Sequence, residues 1–251
     1  MRGRCGTFTG RSVGTRQNRQ DNLPSEPQSN LIPFGFRELR PFEPIDGLWR
    51  RQWRSLDNGV TEEVSLVVWA QSGDRFADIR VPAETSLSLD GLDALQAFTG
   101  KLSLDGSSAF FDHDIDTFEG RPAGFDASYL LISDDRTHLR EVGDDFIEGW
   151  VQTEEADSSN LVIERRDPEG SGERVLGRLL LIGHTAVGAW SEPTTGGGLW
   201  VRRAGWVLEE LVGVFGSAPE LDTICFELSN GAEVYDGWQV VKSDTQPQTM
   251  S

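Results

Sequence analysis

Residues 65–81 read SLVVWAQSGDRFADIRV and contain the pattern that decides the fold. Two short runs rich in Val, Leu, Phe and Trp flank the polar triplet Ser72-Gly73-Asp74. Short β-branched and aromatic runs separated by Gly and Asp are typical of antiparallel strands joined by tight turns. The stretch therefore predicts a β-hairpin, with strands over Glu62–Gln71 and Arg75–Val81.

The same rhythm continues from Gly47 to Lys242, where turn signals separate about fourteen short strands at intervals of about ten residues. These signals are Asp57-Asn58-Gly59, Ser72-Gly73-Asp74, Asp105-Gly106, Ser133-Asp134-Asp135, Gly143-Asp144-Asp145, Asp167-Pro168-Glu169-Gly170 and Asn230-Gly231. The pattern predicts an all-β protein built as an antiparallel lipocalin-like barrel. So many strands suit two fused barrel halves, or one large closed sheet.

The composition divides the chain into five parts. Residues 1–30 are polar and predict a disordered tail, and residues 31–46 predict a Pro- and Phe-rich strap against the folded body. The first barrel half is expected over 47–155, the second over 156–243, and a short tail over 244–251.

Three segments are less regular than the rest. Asp90–Gln96 predicts a short helix, with Asp90 as its N-cap. Trp206–Val214 fits a helix or a strand, and Leu221–Leu228 predicts a strand.

The acidic composition restricts the possible partners. The chain has 251 residues, with 41 acidic and 23 basic residues and a formal net charge of −18. A surface of this sign repels phosphate backbones and anionic headgroups, so we expect neither nucleic acid nor a membrane as a partner. Lys101 and Lys242 are the only lysines, and such a preference for arginine is typical of a GC-rich bacterial genome.

The thiols and the N-terminal residues indicate a cytoplasmic protein. The only cysteines are Cys5 and Cys225, which gives no disulfide framework and no Cys-based metal site. Residues 1–20 carry five arginines but no acid and no apolar stretch, so they do not form a secretory signal. We interpret them as a disordered extension or a misassigned start, with an organellar address as the alternative.

Common catalytic signatures are absent from the sequence. There is no Gly-rich phosphate loop, no nucleophile elbow, no paired-His zinc helix and no calcium loop. We therefore expect no cofactor. A barrel enzyme, whose site residues come from several strands, remains an alternative.

The densest polar cluster is FFDHDIDTF, at residues 110–118. Strand periodicity places His113 with its apolar neighbours on the inner face, and it places the aspartates outward at Asp112, Asp114 and Asp116. An inward His113 is a candidate general acid or base; the alternative is a buried histidine with one hydrogen bond. The aspartates fit a hard divalent cation or, alternatively, a solvated acidic face.

A second polar cluster is FADIR, at residues 76–80, where Asp78 and Arg80 share a strand face with Phe76. If that face points into a barrel, a charged pair lies inside, which is costly unless the two groups are paired and hydrogen-bonded. Such a pair either fixes the strand register or orients a ligand.

Aromatic residues form the third feature, since the chain has eight tryptophans and several adjoin Arg or Gly. Trp and Arg together can line a pocket through stacking and cation–π contact; the alternative is packing in the core and at the rim. The candidate ligand-binding residues are Arg80, Trp53, Trp69, Phe76, Phe111, Trp150 and His184.

The run from Glu63 to Trp69, then Gly73 and FADIR, resembles the fungal Hrr-interacting protein family, in which a strand and a Gly turn precede a segment of the form Phe-Val-Asp-Val-Arg. Phe98-Thr99-Gly100 is similar to its Ala-Phe-x-Gly element, and residues 113–116 are similar to a His-x-Ile-Asp stretch. The likeness covers residues 49–116. One departure is Phe111-Asp112, where the family has Trp before the His.

This resemblance implies two lipocalin-like barrel halves and brings no established reaction. Its matching positions here are Asp78, Arg80, His113 and Asp116. Our leading hypothesis is a protein that binds a small apolar or aromatic molecule in a barrel cavity. The alternatives are a cofactor-independent isomerase, lyase or hydrolase, for instance of secondary metabolism, with His113, Asp78 and Asp116 as catalytic groups, and an acidic protein-interaction module.

Overall fold

The computed structural model describes residues 32–40, 43–56, 65–82, 96–117, 125–156, 160–169, 174–192, 195–202, 206–208, 223–224, 234–235 and 237–241. The predictions for residues 1–30, for a helix over Asp90–Gln96 and for turns at Asp57-Asn58-Gly59 and Asn230-Gly231 lie outside these residues.

The described residues form sixteen strands in two antiparallel sheets. The first sheet contains β1 (Phe36–Glu38), β2 (Gly47–Leu56), β3 (Ser65–Ser72), β4 (Arg75–Pro82), β5 (Gln96–Asp105), β6 (Ser108–Asp116), β7 (Phe125–Ser133), β8 (His138–Val142) and β9 (Phe146–Glu155). The second contains β10 (Leu161–Arg166), β11 (Val175–Ile182), β12 (Thr185–Trp190), β13 (Gly196–Arg202), β14 (Trp206–Leu208), β15 (Val234–Tyr235) and β16 (Trp238–Val241).

Strands β2 to β9 form a closed eight-stranded barrel. Each strand pairs with the next along the chain, and β9 pairs back with β2 from Gly47↔Glu155 to Leu56↔Phe146. Closure leaves no unpaired sheet edge between these strands. The sequence prediction of an all-β, lipocalin-like barrel is confirmed.

The hairpin predicted from residues 65–81 joins β3 to β4. Ser72 pairs with Arg75, so Gly73 and Asp74 form a two-residue turn. Gly73 has φ +57°, the left-handed conformation that the first position of such a tight turn requires and that glycine adopts without strain. The Gly residue therefore specifies the turn and, through it, the register of the two strands.

The second sheet packs against the outer face of the barrel. Ala77 and Ile79 point outward from β4 and share one buried cluster with Val187 and Ala189 of β12. Between the two sheets lies a buried ion pair of Arg178 with Glu164, both 0% exposed. The order of the second sheet is β14-β13-β12-β11-β10-β16-β15.

The barrel interior has an apolar end and a charged end. At the apolar end, Leu39 and Ile45 of the segment before β2 join the interior cluster with Trp49. The Trp49 Nε1–H donates to the Ile45 carbonyl over 2.9 Å, and the Leu39 N–H donates to Ser107 Oγ over 2.9 Å. This segment therefore covers the apolar end, and the polar side chains of the interior collect at the opposite end.

The irregular segments differ in part from the sequence predictions. Phe36–Glu38 forms β1 on the edge of β7 although prolines flank it, because only three residues are needed to pair there. Trp206–Leu208 is a strand, and Thr223 and Ile224 have helical backbone where a strand was predicted. Within the described residues, no helix is long and apolar enough to cross a membrane.

Candidate functional site

The charged end of the barrel contains a small cavity of about 50 Å³. Its wall is half aromatic and half polar. The lining residues are Trp69, Phe76, Asp78, Arg80, Phe98, Phe111, His113, Asp126, Glu141 and Trp150. Seven of the residues singled out from the sequence thus meet here: Asp78, Arg80, His113, Trp69, Phe76, Phe111 and Trp150.

Strand β4 supplies the first charged pair of the cavity. Asp78 pairs across the strands with Trp69 and Phe98 and points inward with them. Arg80 Nε donates to Asp78 Oδ1 over 3.0 Å, and its guanidinium carbon lies 5.0 Å from the centre of the Phe98 ring. Burial acts against the charge of Arg80, but Asp78 and Glu148 outweigh it and raise the pKa of the guanidinium. Arg80 is therefore a permanent cation at the cavity mouth.

A β-bulge in β6 decides which acidic side chain enters the barrel. The register shifts so that His113 faces Gly100 and Ile115 faces Thr99, which leaves Asp114 as the extra residue. The next residue on the inner face is therefore Asp116, whose side chain is only 4% exposed. The prediction that the three aspartates share the outer face is wrong, because one inserted residue reverses the facing of everything that follows it.

The three aspartates consequently have different environments. Asp114 Oδ2 lies 2.7 Å from Arg178 Nη2, toward the second sheet. Asp112 faces Lys101 on the outer side of the barrel. A cation-binding ladder does not form from them, and among the described residues no group of His, Cys, Asp and Glu is arranged to hold a metal ion.

His113 is held at the cavity wall without a short hydrogen bond. Its ring lies 5.7 Å from that of Phe76 and 5.3 Å from that of Phe98. Nδ1 is 3.5 Å from Asp116 and Nε2 is 3.5 Å from Asp126, longer than an ordinary hydrogen bond. Nδ1 is buried against Asp116 without a hydrogen bond, and Nε2 is directed toward Asp126 of the cavity lining. The imidazole can therefore accept or donate a hydrogen bond to a molecule in the cavity.

A second charged pair, Arg51 with Glu148, lies inside the barrel beside the first. Arg51 Nη1 donates to Glu148 Oε1 over 2.7 Å, and both side chains are 4% exposed. Burial raises the pKa of Glu148, against the opposing effect of Arg51. Sequence reasoning missed both residues, although each lies two positions from an inward tryptophan, Trp49 and Trp150, on the same strand face.

Glu141 is another carboxyl group in the barrel that the sequence reasoning missed. It faces Glu148 across β8 and β9. Burial, followed by the charge of Glu148, raises the pKa of Glu141 to about 8, although Arg80 acts in the opposite direction. Glu141 therefore binds a proton at neutral pH and can donate a hydrogen bond toward the cavity.

We expect the Glu141 carboxyl to make the protein less stable as the pH rises. Its folded-state pKa lies above the ordinary 4.5, so its contribution is fully present below that value and is lost as the pH rises toward about 8. Between pH 5 and 8 the free energy of unfolding of Glu141→Gln should fall less than that of the unmodified protein. Urea titrations at several pH values measure the difference. The exposed Glu192→Gln serves as the control, and parallel pH curves for Glu141→Gln and the unmodified protein would contradict the assignment.

Two of the predicted ligand-binding residues lie outside the cavity. Trp53 points to the outer face of the barrel because a second bulge, at Gln52, separates it from the inward Arg51. His184 is exposed on the turn between β11 and β12, where its backbone N–H donates to Glu154 Oε2 over 2.6 Å. The interpretation of these two residues as cavity residues is therefore corrected.

Comparison with known proteins gives few relatives. No protein-family model matches the chain, and no curated protein matches it. One similar solved structure is the crystal structure of a lipocalin-like protein from Bacteroides uniformis, with 19% sequence identity and a TM-score of 0.34, over 43% of this chain and 97% of that one. Function is therefore inferred from the geometry of the site.

Proposed function

We propose that the protein binds a small, largely aromatic molecule at the charged end of the first barrel. The observation that carries the proposal is His113, whose ring lies between Phe76 and Phe98 at the cavity wall and whose Nε2 is directed toward the lining residue Asp126, 3.5 Å away. Polar atoms inside folded proteins are almost always hydrogen-bonded, so a ring nitrogen without a short hydrogen bond at a cavity wall is a candidate ligand contact. Apolar walls with a few convergent polar groups are typical of small-molecule sites.

The charges of the barrel interior favour a neutral or cationic polar group on the ligand. Asp78, Asp116 and Glu148 supply carboxylates in the interior, Asp126 supplies one at the mouth with 68% of its side chain exposed, and Glu141 adds a protonated carboxyl at neutral pH. The arginines of the same interior are fewer, namely Arg51 and Arg80. An amine or hydroxyl group would therefore find acceptors, whereas a carboxylate would meet repulsion.

The size of the cavity sets a condition on binding. A volume of about 50 Å³ accommodates one or two water molecules, since a water occupies about 30 Å³ in the liquid. A ring compound therefore has to displace a side chain. Arg80 is suited to this because 36% of its side chain is exposed at the mouth, and arginine keeps its charge when it moves into water.

The test is a titration of the protein with benzylamine, benzyl alcohol and benzoate, which share a ring and differ in charge. We expect benzylamine or benzyl alcohol to bind more tightly than benzoate and to shift the indole N–H signal of Trp69 in NMR spectra. Asp78→Asn should weaken benzylamine binding about tenfold or more, the value of one hydrogen bond to a charged group. Asp112→Asn, which removes the same charge on the outer face, should not.

Two results would refute binding in the barrel: no shift of the Trp69 signal with any of the three compounds, or equal effects of Asp78→Asn and Asp112→Asn. A stability measurement on each variant separates a lost contact from a lost fold.

A second candidate function is acid–base catalysis on the bound molecule. It is supported by the 3.5 Å separation of His113 from both Asp116 and Asp126, because a carboxylate beside an imidazole is a frequent arrangement for proton transfer. If His113→Ala leaves the turnover of an identified ligand unchanged, the catalytic proposal is abandoned and the binding proposal stands.

The remaining sequence expectations belong to the same proposal. The net charge of −18 supports a protein without nucleic-acid or membrane partners, and the scarcity of cysteine supports the cytoplasm. Kinship with the fungal Hrr-interacting family is supported by the positions Asp78, Arg80, His113 and Asp116, which all lie at the charged end of the barrel.

A further inference from the structure

A second concave site lies on the outside of the barrel. This outer groove has a volume of about 500 Å³ and lies on the β2, β7, β8 and β9 side, away from the second sheet. Its principal residues are Phe36, Trp53, His138, Arg140 and Gly149. The volume falls in the range of about 300–1,000 Å³ that small-molecule pockets occupy, and it is ten times that of the cavity in the barrel.

Arg140 lies between two aromatic rings in the groove. Its guanidinium carbon is 4.9 Å from the centre of the Phe36 ring and 5.3 Å from that of Trp53. Trp53 lies directly against Gly149, where a Cβ atom would come within 2.2 Å of the indole. The missing side chain at Gly149 therefore makes room for Trp53, and the two rings hold the guanidinium in one place.

Arg140 differs from the arginines of the ion pairs because it has no acidic partner in the part of the chain that the structure describes. Arg51 and Arg178 are each bound to a carboxylate, whereas no described residue gives Arg140 an ion pair, and its buried Nε has no hydrogen-bond acceptor. Burial alone acts on it and lowers the pKa of its guanidinium. The net charge of the chain is −18, yet no carboxylate of the described residues lies beside this cation. The positive charge of Arg140 would therefore attract an anion into the groove.

We propose that the outer groove is a second binding site, which takes a small aromatic carboxylate with its charged group on Arg140 and its ring against Trp53 and Phe36. A planar guanidinium donates to both oxygens of a carboxylate at once. The aromatic rings on either side keep the guanidinium in its plane, so little side-chain entropy is lost on binding.

The acids at the end of the groove do not neutralise Arg140. The Asp135 carboxylate accepts from Ser133 Oγ over 2.6 Å and from Thr137 N and Oγ1 over 3.1 and 2.9 Å. Asp134 is exposed to water and is screened there. The groove therefore presents a cation at its aromatic wall and satisfied or hydrated acids at its far end.

The experiment compares 2-naphthoate with its neutral analogue 2-naphthamide, by calorimetry and by the indole N–H signal of Trp53. We expect 2-naphthoate to bind at least tenfold more tightly than 2-naphthamide to the unmodified protein and to shift the Trp53 signal but not that of Trp69. Arg140→Gln should remove the tenfold advantage and leave 2-naphthamide binding unchanged. The comparison of the two probes on the unmodified protein holds even if the variant does not fold.

The matched control is Arg174→Gln, which removes the same charge from an arginine directly before β11 whose side chain is 66% exposed. It should leave 2-naphthoate binding unchanged. Equal losses in Arg140→Gln and Arg174→Gln would assign the effect to overall charge and overturn the proposal. So would a shift of Trp69 in place of Trp53, or equal affinities for the two probes. None of these outcomes affects the barrel site, which is tested by the Trp69 signal with amine and alcohol probes.

Discussion

Replacing Arg178 by alanine is expected to lower the free energy of unfolding by about 3–5 kcal/mol, because it removes several buried hydrogen bonds of a charged group, each of which contributes about 1.5–3 kcal/mol. Arg178 Nε and Nη2 donate to Glu164 Oε1 over 2.9 and 2.7 Å, and Nη1 donates to the Gly100 carbonyl over 2.8 Å. Both side chains of the pair are 0% exposed. The Gly100 bond joins the second sheet to the bulge region of the barrel, so the loss would also loosen the contact between the two sheets.

Arg174→Ala provides the control, because Arg174 directly precedes β11, the strand that contains Arg178, and its contact with Glu192, over 3.8 Å, is exposed. Exposed pairs contribute about 0–1 kcal/mol. Burial raises the pKa of Glu164, but Arg178 and Arg166 outweigh it, and the net pKa is lowered from its ordinary 4.5. Its stabilisation is therefore present above pH 4.5 and lost as the pH falls through the folded pKa. Urea titrations at pH 7 that give equal losses for Arg178→Ala and Arg174→Ala would refute the structural importance of the buried pair.

The second large effect is expected from Trp69→Ala, which should cost about 3–5 kcal/mol as a large-to-small change in the core. Trp69 is 2% exposed, and its ring lies 5.6 Å from that of Trp150, 5.7 Å from that of Phe111 and 6.5 Å from that of Trp49. The barrel wall is closed by paired strands and cannot collapse onto the space. The change would therefore enlarge the barrel cavity on its aromatic side.

Trp53→Ala is the matched control, because the same side chain is removed from the outer face, where it is only partly buried. Its cost should be clearly smaller. Indole added to the Trp69→Ala protein should raise the melting temperature, because apolar engineered cavities take up ring compounds and a ligand that binds only the folded state stabilises it. A melting temperature that does not respond to indole, together with a loss as small as that of Trp53→Ala, would contradict this account of the interior.

Much of the barrel interior follows from strand periodicity alone. The period of two along FADIR places Phe76, Asp78 and Arg80 on one face, and that face does point inward. The same argument correctly turns Phe111 and His113 inward. Periodicity succeeds here because each of these strands is regular up to that point, and because a buried face tolerates no slip of one residue.

The two bulges could not be read from the sequence. Nothing about the residue types of Gln52 and Asp114 marks them as the extra residues of bulges. The bulges nevertheless turn Trp53 outward and Asp116 inward. The ion pair of Arg51 and Glu148 could not be predicted either, since the two residues meet only where β2 pairs with β9 to close the barrel. Outward-facing features that depend on segments distant in sequence, such as Arg140 between Phe36 and Trp53, also needed the structure.

The pairing of β2 with β9 has a consequence for how the protein is made. Arg51 and Glu148 are 97 residues apart in the chain, so the barrel closes only after a long stretch has been ordered. Long-range pairing of this kind slows folding into the range of about milliseconds to seconds, because the entropy of loop closure is lost before the contacts form. During synthesis on the ribosome, β2 cannot pair with β9 until β9 has emerged. During that interval the edge of β2 that later pairs with β9 has free backbone groups, which can form hydrogen bonds with other chains. The strand that closes the barrel is therefore the one most exposed to misassembly.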